Sequence, residues 1–226
     1  MHVRAICFDY GGTLDGPASH WLDRFLALYH RAGLALTFER FRKAFDHATR
    51  CGYAETGLSG VGLQALVEFH VARQMEHLQL RDPAVAEQIV TAFVRASRLA
   101  LEESRGVLGR LREHAALGVI SNFYGNVDRI LTDEGLAPLL DVIIDSGAVG
   151  VHKPDPAIFE LAARGLLCET AEILYVGDSF EKDVVGACAA GMRTAWLVGA
   201  TERACRAPEL VDVRLRSLAD LEAILQ

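Results

Sequence analysis

Val3-Arg4-Ala5-Ile6-Cys7-Phe8-Asp9-Tyr10-Gly11-Gly12-Thr13-Leu14-Asp15 joins a short apolar run to an acid and two glycines. The run Ala5–Phe8 is too short for a helix and has the unbroken apolar character of a strand buried on both faces. In an open α/β sheet the carboxyl ends of the strands face the ligand crevice. Asp9 is therefore expected at the mouth of that crevice, with Gly11 and Gly12 letting the backbone turn sharply beside it.

Beyond Asp15 the apolar spacing becomes helical for some eighty residues. Trp21, Leu22, Phe25, Leu28 and Tyr29 form one stripe, with Ser19 as expected N-cap and Gly33 as terminator. Thr37 precedes Phe38, Phe41, Phe45 and Ala48, and Leu63, Leu66, Val67, Val71 and Leu78 make a third stripe. Asp82-Pro83 opens a fourth helix over Val85, Ile89, Phe93 and Ala96. From about residue 103 strands and helices alternate. Expected are a helix near 105–116, a strand at 117–120, a helix near 126–134 and a strand at 142–144. A helix after Asp155-Pro156, a strand at 173–176, a helix from Asp183 to Gly191, a strand at 194–198 and a helix at 217–225 complete the series. This order predicts an α/β fold, a Rossmann-like parallel sheet with right-handed crossovers. The core is expected at 1–15 and 103–226, with an all-helical cap domain inserted at 16–102.

Polar groups stand where the apolar strands end: Asp9, then Ser121-Asn122, then Gly177-Asp178 with Asp183. Lys153 lies in the loop after the third expected strand. Brought to one sheet edge, these groups specify a phosphate-and-metal site. Asp9 and Asp178 offer hard oxygen ligands suited to Mg²⁺. Ser121 and Asn122 can donate to a phosphoryl oxygen, and Lys153 supplies a fixed positive charge. Asp9 is then placed to attack phosphorus and form an aspartyl-phosphate.

The same residues resemble the motifs of the haloacid dehalogenase (HAD) superfamily, in the subgroup with a helical cap after the first motif. Phe8-Asp9-Tyr10-Gly11-Gly12-Thr13-Leu14 is similar to the nucleophile motif, Ser121-Asn122 to the second and Lys153-Pro154-Asp155-Pro156 to the third. Gly177-Asp178-Ser179 with Asp183-Val184-Val185-Gly186-Ala187 is similar to the fourth. The resemblance implies a Mg²⁺-dependent hydrolase. It makes Asp9 and Lys153 catalytic residues, and Asp9, the Gly11 carbonyl, Asp178 and Asp183 the metal group. It places Thr13, Ser121, Asn122 and Lys153 around the phosphate.

One position departs from the pattern. Family phosphatases usually carry a second aspartate two residues after the nucleophile, which protonates the leaving oxygen. Here that residue is Gly11. Glycine offers a carbonyl but no proton, and general acid–base help is worth about 10²–10⁴-fold. Asp15, His152 or a cap residue near His20-Trp21 are candidate substitutes. Three readings stay open: a phosphatase on a small phosphorylated metabolite, a 2-haloacid dehalogenase whose halide leaves without a proton, and a non-catalytic metal- or phosphate-binding relative.

Composition narrows the partners. The 226 residues are 51% hydrophobic, which excludes wholesale disorder, and the net charge of −7 with scattered basic residues argues against nucleic acid. No apolar run approaches the roughly 18 residues of a membrane helix, and Met1-His2-Val3-Arg4 leaves no room for a signal peptide, so a cytoplasmic location is expected. The five cysteines lack paired spacing and read as reduced thiols, with Cys7 in the core.

Overall fold

The computed structural model describes residues 3–16, 18–55, 57–200 and 203–224. Six parallel strands form one sheet in the order β3-β2-β1-β4-β5-β6. They are β1 (Ala5–Phe8), β2 (Ala116–Ser121), β3 (Val142–Asp145), β4 (Ile173–Gly177), β5 (Arg193–Leu197) and β6 (Val213–Leu215). The α/β parallel architecture is the one the alternating pattern predicts. From β1 the chain adds β2 and β3 on one side, then returns to lay β4 on the other side of β1. The strand order therefore reverses between β1 and β4, where a crevice opens at the carboxyl ends. Phe8 is paired with both Val119 and Val176, so the residues just beyond β1, β2 and β4 converge.

Alternation along β1 feeds two cores. Ile6 and Phe8 join the larger cluster, which includes Trp21, Phe25, Phe41 and Phe93. Ala5 and Cys7 join a smaller one with Ile158, Phe159 and Tyr175. Cys7 is thus a packing residue, and burial pushes its thiol pKa up.

Four helices follow β1: α1 (Trp21–Arg31), α2 (Phe38–Ala54), α3 (Leu63–Leu78) and α4 (Pro83–Leu111). Thr37 caps α2 and Asp82 caps α4, as their positions predict. The cap of α1 is His20 and not Ser19: its side chain accepts from the Leu22 N–H. The two helices expected over 83–96 and 105–116 are one, α4, 29 residues long. No proline interrupts the pattern there, and Gly106 and Gly109 are absorbed at modest cost. Its first half buries Ile89 and Phe93, its last turns Val107, Leu108 and Leu111. The domain boundary drawn at 102/103 thus falls inside a continuous helix.

The remaining helices are α5 (Val127–Asp133), α6 (Ser146–Val149), α7 (Pro156–Leu166) and α8 (Val185–Ala189). The three-residue edge strand β6 has no counterpart in the expected elements, because it is too short to show a period. The closing helix is a short helical turn, Leu218–Ala223, held by Ser217; Leu225 lies outside the described residues. All five cysteines are free. Among the described residues no helix is long and apolar enough to cross a membrane.

Candidate active site

Each site residue is delivered by the end of a strand or by the loop beyond it. Asp9 follows β1 and is locked by its own N–H donating to the Val176 carbonyl of β4 at 2.8 Å. The chain then turns through Tyr10–Leu14, with Gly12 at φ +88°. A side chain there meets two obstacles: the left-handed backbone, and the Asp178 carboxylate 2.8 Å from where a Cβ would stand. Gly177 is equally tight, because the space beside it holds the Asp183 carboxyl group.

Lys153 is the hub. Its ammonium donates to Asp9 Oδ1 and Asp183 Oδ1, both at 2.7 Å, and to the Tyr175 hydroxyl at 2.8 Å. Three donors meet three acceptors, which is full satisfaction for an ammonium. Tyr175 in turn donates to the Ile120 carbonyl at 3.0 Å. Asp183 accepts from the Ser179 N–H at 2.9 Å through its other oxygen.

Asn122 fixes the backbone of Lys153 from both sides: its amide donates to the Lys153 carbonyl at 2.9 Å and accepts from the Lys153 N–H at 2.8 Å. The side chain expected to hold a phosphoryl oxygen is spent on positioning the lysine. Ser121 lines the cavity above Asp9, and its side chain makes no hydrogen bond among the described residues.

The electrostatics follow from three buried carboxylates around one ammonium. Oxygens of Asp9, Asp178 and Asp183 all lie within 4.8 Å of one another. Burial raises the Asp9 pKa; Lys153 pulls it back while Asp183 adds to it, and it settles at about 6. Asp178 goes to about 8, driven by burial and then by Asp9 and Asp183. Burial alone would discharge Lys153, but Asp183 and Asp9 outweigh it and hold its pKa above the ordinary lysine value. The Asp178 carboxylate accepts no hydrogen bond among the described residues, whereas its carbonyl accepts from Trp196 at 3.1 Å and Arg203 at 3.2 Å. A compact, oxygen-only, over-acidic cluster fits a hard divalent cation such as Mg²⁺.

Thr13 is placed elsewhere. It is not among the residues that line the cavity with Asp9 and Ser121, and lines a second cavity with Ser104 and Val107 of α4. Its hydroxyl is buried without a partner among the described residues.

A cavity of about 360 Å³ lies over Asp9. Its roof comes from the inserted helices: His20, Trp21 and Leu22 at the start of α1, and Arg42, Phe45, Asp46, Thr49 and Tyr53 on one face of α2. Sequence reasoning anticipated the His20-Trp21 region. It missed the α2 face, Tyr124, Lys182 and the hub partner Tyr175. The α2 residues repeat at helical spacing and were the available signal. Tyr175 sits inside an apolar strand and gave none.

The chain is similar in sequence and fold to several known proteins. Haloacid dehalogenase-like hydrolase domain-containing protein 3 of Mus musculus is 41% identical over 83 residues, 37% of this chain and 33% of that protein. Phosphoserine phosphatase of Thermus thermophilus is 34% identical over 119 residues, 51% of this chain and 48% of that protein. The chain therefore spans between a third and a half of the length of these curated relatives. The crystal structure of 2-haloacid dehalogenase from Pseudomonas syringae has the same fold, with a TM-score of 0.57, 24% identity, and coverage of 99% of this chain and 98% of that one. Residues 3–191 match the family of haloacid dehalogenase-like hydrolases, and with the Asp9–Lys153–Asp183 hub at the strand reversal the chain belongs to that family.

Proposed function

We propose that the chain is a Mg²⁺-dependent phosphatase that hydrolyses a small phosphorylated metabolite through an aspartyl-phosphate at Asp9. The observation that carries this reading is the oxygen triad of Asp9, Asp178 and Asp183 within 4.8 Å, compensated by one ammonium. Even with Asp178 protonated, Asp9 and Asp183 outweigh the one ammonium, and the excess negative charge opposes the approach of a phosphate dianion. Asp9, the Gly11 carbonyl, Asp178 and Asp183 would hold Mg²⁺. Bound there, it neutralises this charge and polarises the phosphoryl oxygens.

The chain's own residues supply the remainder. Lys153 fixes the Asp9 carboxylate in orientation and keeps it ionised. Ser121 offers a hydroxyl to a phosphoryl oxygen. Asp9 attacks phosphorus, the bond to the leaving oxygen breaks, and water later cleaves the acyl phosphate to regenerate Asp9 and release inorganic phosphate. The roof from α1 and α2 limits the substrate to a small molecule and excludes bulk water.

A screen of phosphate release with and without Mg²⁺, over alkyl, aryl and acyl phosphates and phosphonates, tests the reading. The expected result is Mg²⁺-dependent release that Asp9→Asn abolishes. Metal-independent halide release from 2-haloacids would replace it with the dehalogenase reading. Mg²⁺ or fluoroberyllate binding with no turnover of either class would leave a non-catalytic binding relative.

A further inference from the structure

Gly11 provides no acid, so the leaving oxygen needs another partner. Asp15 cannot be that partner: it is fully buried and accepts from the Gly12 N–H, the Trp21 indole and Arg24. His152 is exposed, is not among the residues lining the cavity, and packs beside Tyr53 with ring centres 5.6 Å apart. Asp46, on the roof, lies 3.5 Å from Arg42. The imidazole that lines the cavity is His20.

Its place is specific. His20 precedes Trp21, whose indole stands 3.8 Å from where a Cβ on Gly11 would lie. His20 lines the same cavity as Asp9, Gly11 and Trp21. Attacking and leaving oxygens lie roughly in line across phosphorus. Asp9 attacks from the sheet, so the leaving oxygen departs toward the roof that His20 helps to form.

Its protonation is specific as well. His20 Nδ1 accepts from the Leu22 N–H at 3.2 Å, the cap of α1. An accepting nitrogen carries no proton, so the neutral ring carries it on Nε2. Nε2 makes no hydrogen bond among the described residues. Charging the ring would break the cap. Burial and then Lys182 hold the pKa of His20 below the ordinary histidine value, against Asp23, Asp15 and Asp183. Arg42 and Asp46 complete the charged groups on the facing wall.

Resting on the phosphatase reading above, we propose that His20 donates a hydrogen bond from Nε2–H to the leaving oxygen and gives up no proton. The bond from Asp9 to phosphorus forms as the bond to the leaving oxygen breaks. The leaving group takes the electron pair, is held as an oxyanion by Nε2–H, and is protonated by water. The favoured substrates are those that leave as stabilised anions: acyl, enol or aryl phosphates, and not simple alkyl esters.

The test uses aryl phosphates of graded leaving-group acidity with the full chain, Mg²⁺, and the variants His20→Asn and His20→Gln. Asparagine keeps the cap of α1 but ends short of the Nε2 position; glutamine reaches further. His20→Asn is expected to keep the wild-type melting temperature and lose about tenfold to a hundredfold in kcat/KM, most for the poorest leaving groups. His20→Gln is expected to regain part of this. The pH profile of the wild type is expected to show no alkaline limb that His20→Asn removes. Unchanged kcat/KM in His20→Asn, or an alkaline limb that vanishes with it, would overturn the proposal while leaving the phosphatase reading intact. A wild type that releases no phosphate in the presence of Mg²⁺ would overturn both.

Discussion

The Trp21 indole donates to the Asp15 carboxylate at 2.6 Å, and this bond ties the first inserted helix to the turn that follows Asp9. Asp15 also accepts from the Gly12 N–H at 2.7 Å and from Arg24 at 3.0 Å. Arg24 reaches on to Ser97 of α4 at 2.6 Å and lies over the Phe93 ring at 4.2 Å. One buried carboxylate thus joins the turn after Asp9, α1 and α4. Removing it strands a nearly buried guanidinium, which costs far more than the net worth of the pair. Asp15→Ala is expected to destabilise the chain by about 3–5 kcal/mol in urea unfolding. Asp15→Asn, which keeps an acceptor and the volume, is expected to cost clearly less. Equal losses would mean that packing and not charge sets the role of Asp15.

Gly11 invites the converse experiment. Its φ of −75° admits any side chain, and a Cβ there would be in ordinary contact with Trp21 at 3.8 Å. Gly11→Asp therefore adds a carboxyl group over Asp9 without backbone strain. It is expected to raise turnover of alkyl phosphates by at least about tenfold, a fraction of the usual acid–base contribution. Activated aryl phosphates, whose leaving groups need no proton, should gain little. Equal gains on both would count against a missing proton donor as the deficiency.

These contrasts mark what the sequence could and could not disclose. Asp9, Ser121 and Asp178 were legible because each ends or follows an apolar run, and parallel strands put all such ends on one edge; Asp183 was legible only by its spacing behind Asp178. Lys153 was legible only by its place in the series. The job of Asn122 was not, because a hydroxyl-amide pair after a strand has the same appearance whether it binds phosphate or braces a neighbour's backbone. Thr13 depended on the sense of the turn after Gly12, which is a dihedral angle and not a residue type. The roof was hidden for a different reason. Arg42, Asp46 and Tyr53 occupy the polar side of an amphipathic helix, where a binding face and a solvated face share one composition.

The acidic triad makes stability depend on pH and metal together. Asp9 at about 6 and Asp178 at about 8 both lie above the ordinary carboxylate value, so the folded metal-free protein holds more protons than the unfolded chain. Its stability is full below about pH 4 as far as these groups are concerned, and falls as pH rises toward 8. On the proposed reading, bound Mg²⁺ would displace those protons. Its apparent affinity is expected to rise about tenfold per pH unit between 6 and 8, and its effect on the melting temperature to grow over the same range. Asp178→Asn should abolish the Mg²⁺ effect and flatten the metal-free slope. Melting curves with and without Mg²⁺ at stepped pH measure both.

His70 gives a slope of the opposite sign from inside the inserted helices. It is fully buried on α3, with Nε2 at 2.9 Å from the Tyr124 hydroxyl, and its ring lies among Trp21, Phe25 and Phe45. Burial in this aromatic setting pushes its pKa down to about 4. The folded state keeps the ring neutral while the unfolded chain takes up a proton below pH 6.5, so stability present above that pH is lost as pH falls toward 4. The shift corresponds to about 3 kcal/mol. His70→Gln retains a partner for Tyr124 and does not titrate. Subtracting the variant from the wild type cancels the contribution of the distant acidic triad. The difference in unfolding free energy between pH 7 and pH 4 is then expected to show the loss in the wild type alone. Parallel curves for the two proteins would mean that the ring is charged, or free to reach water, in the folded state.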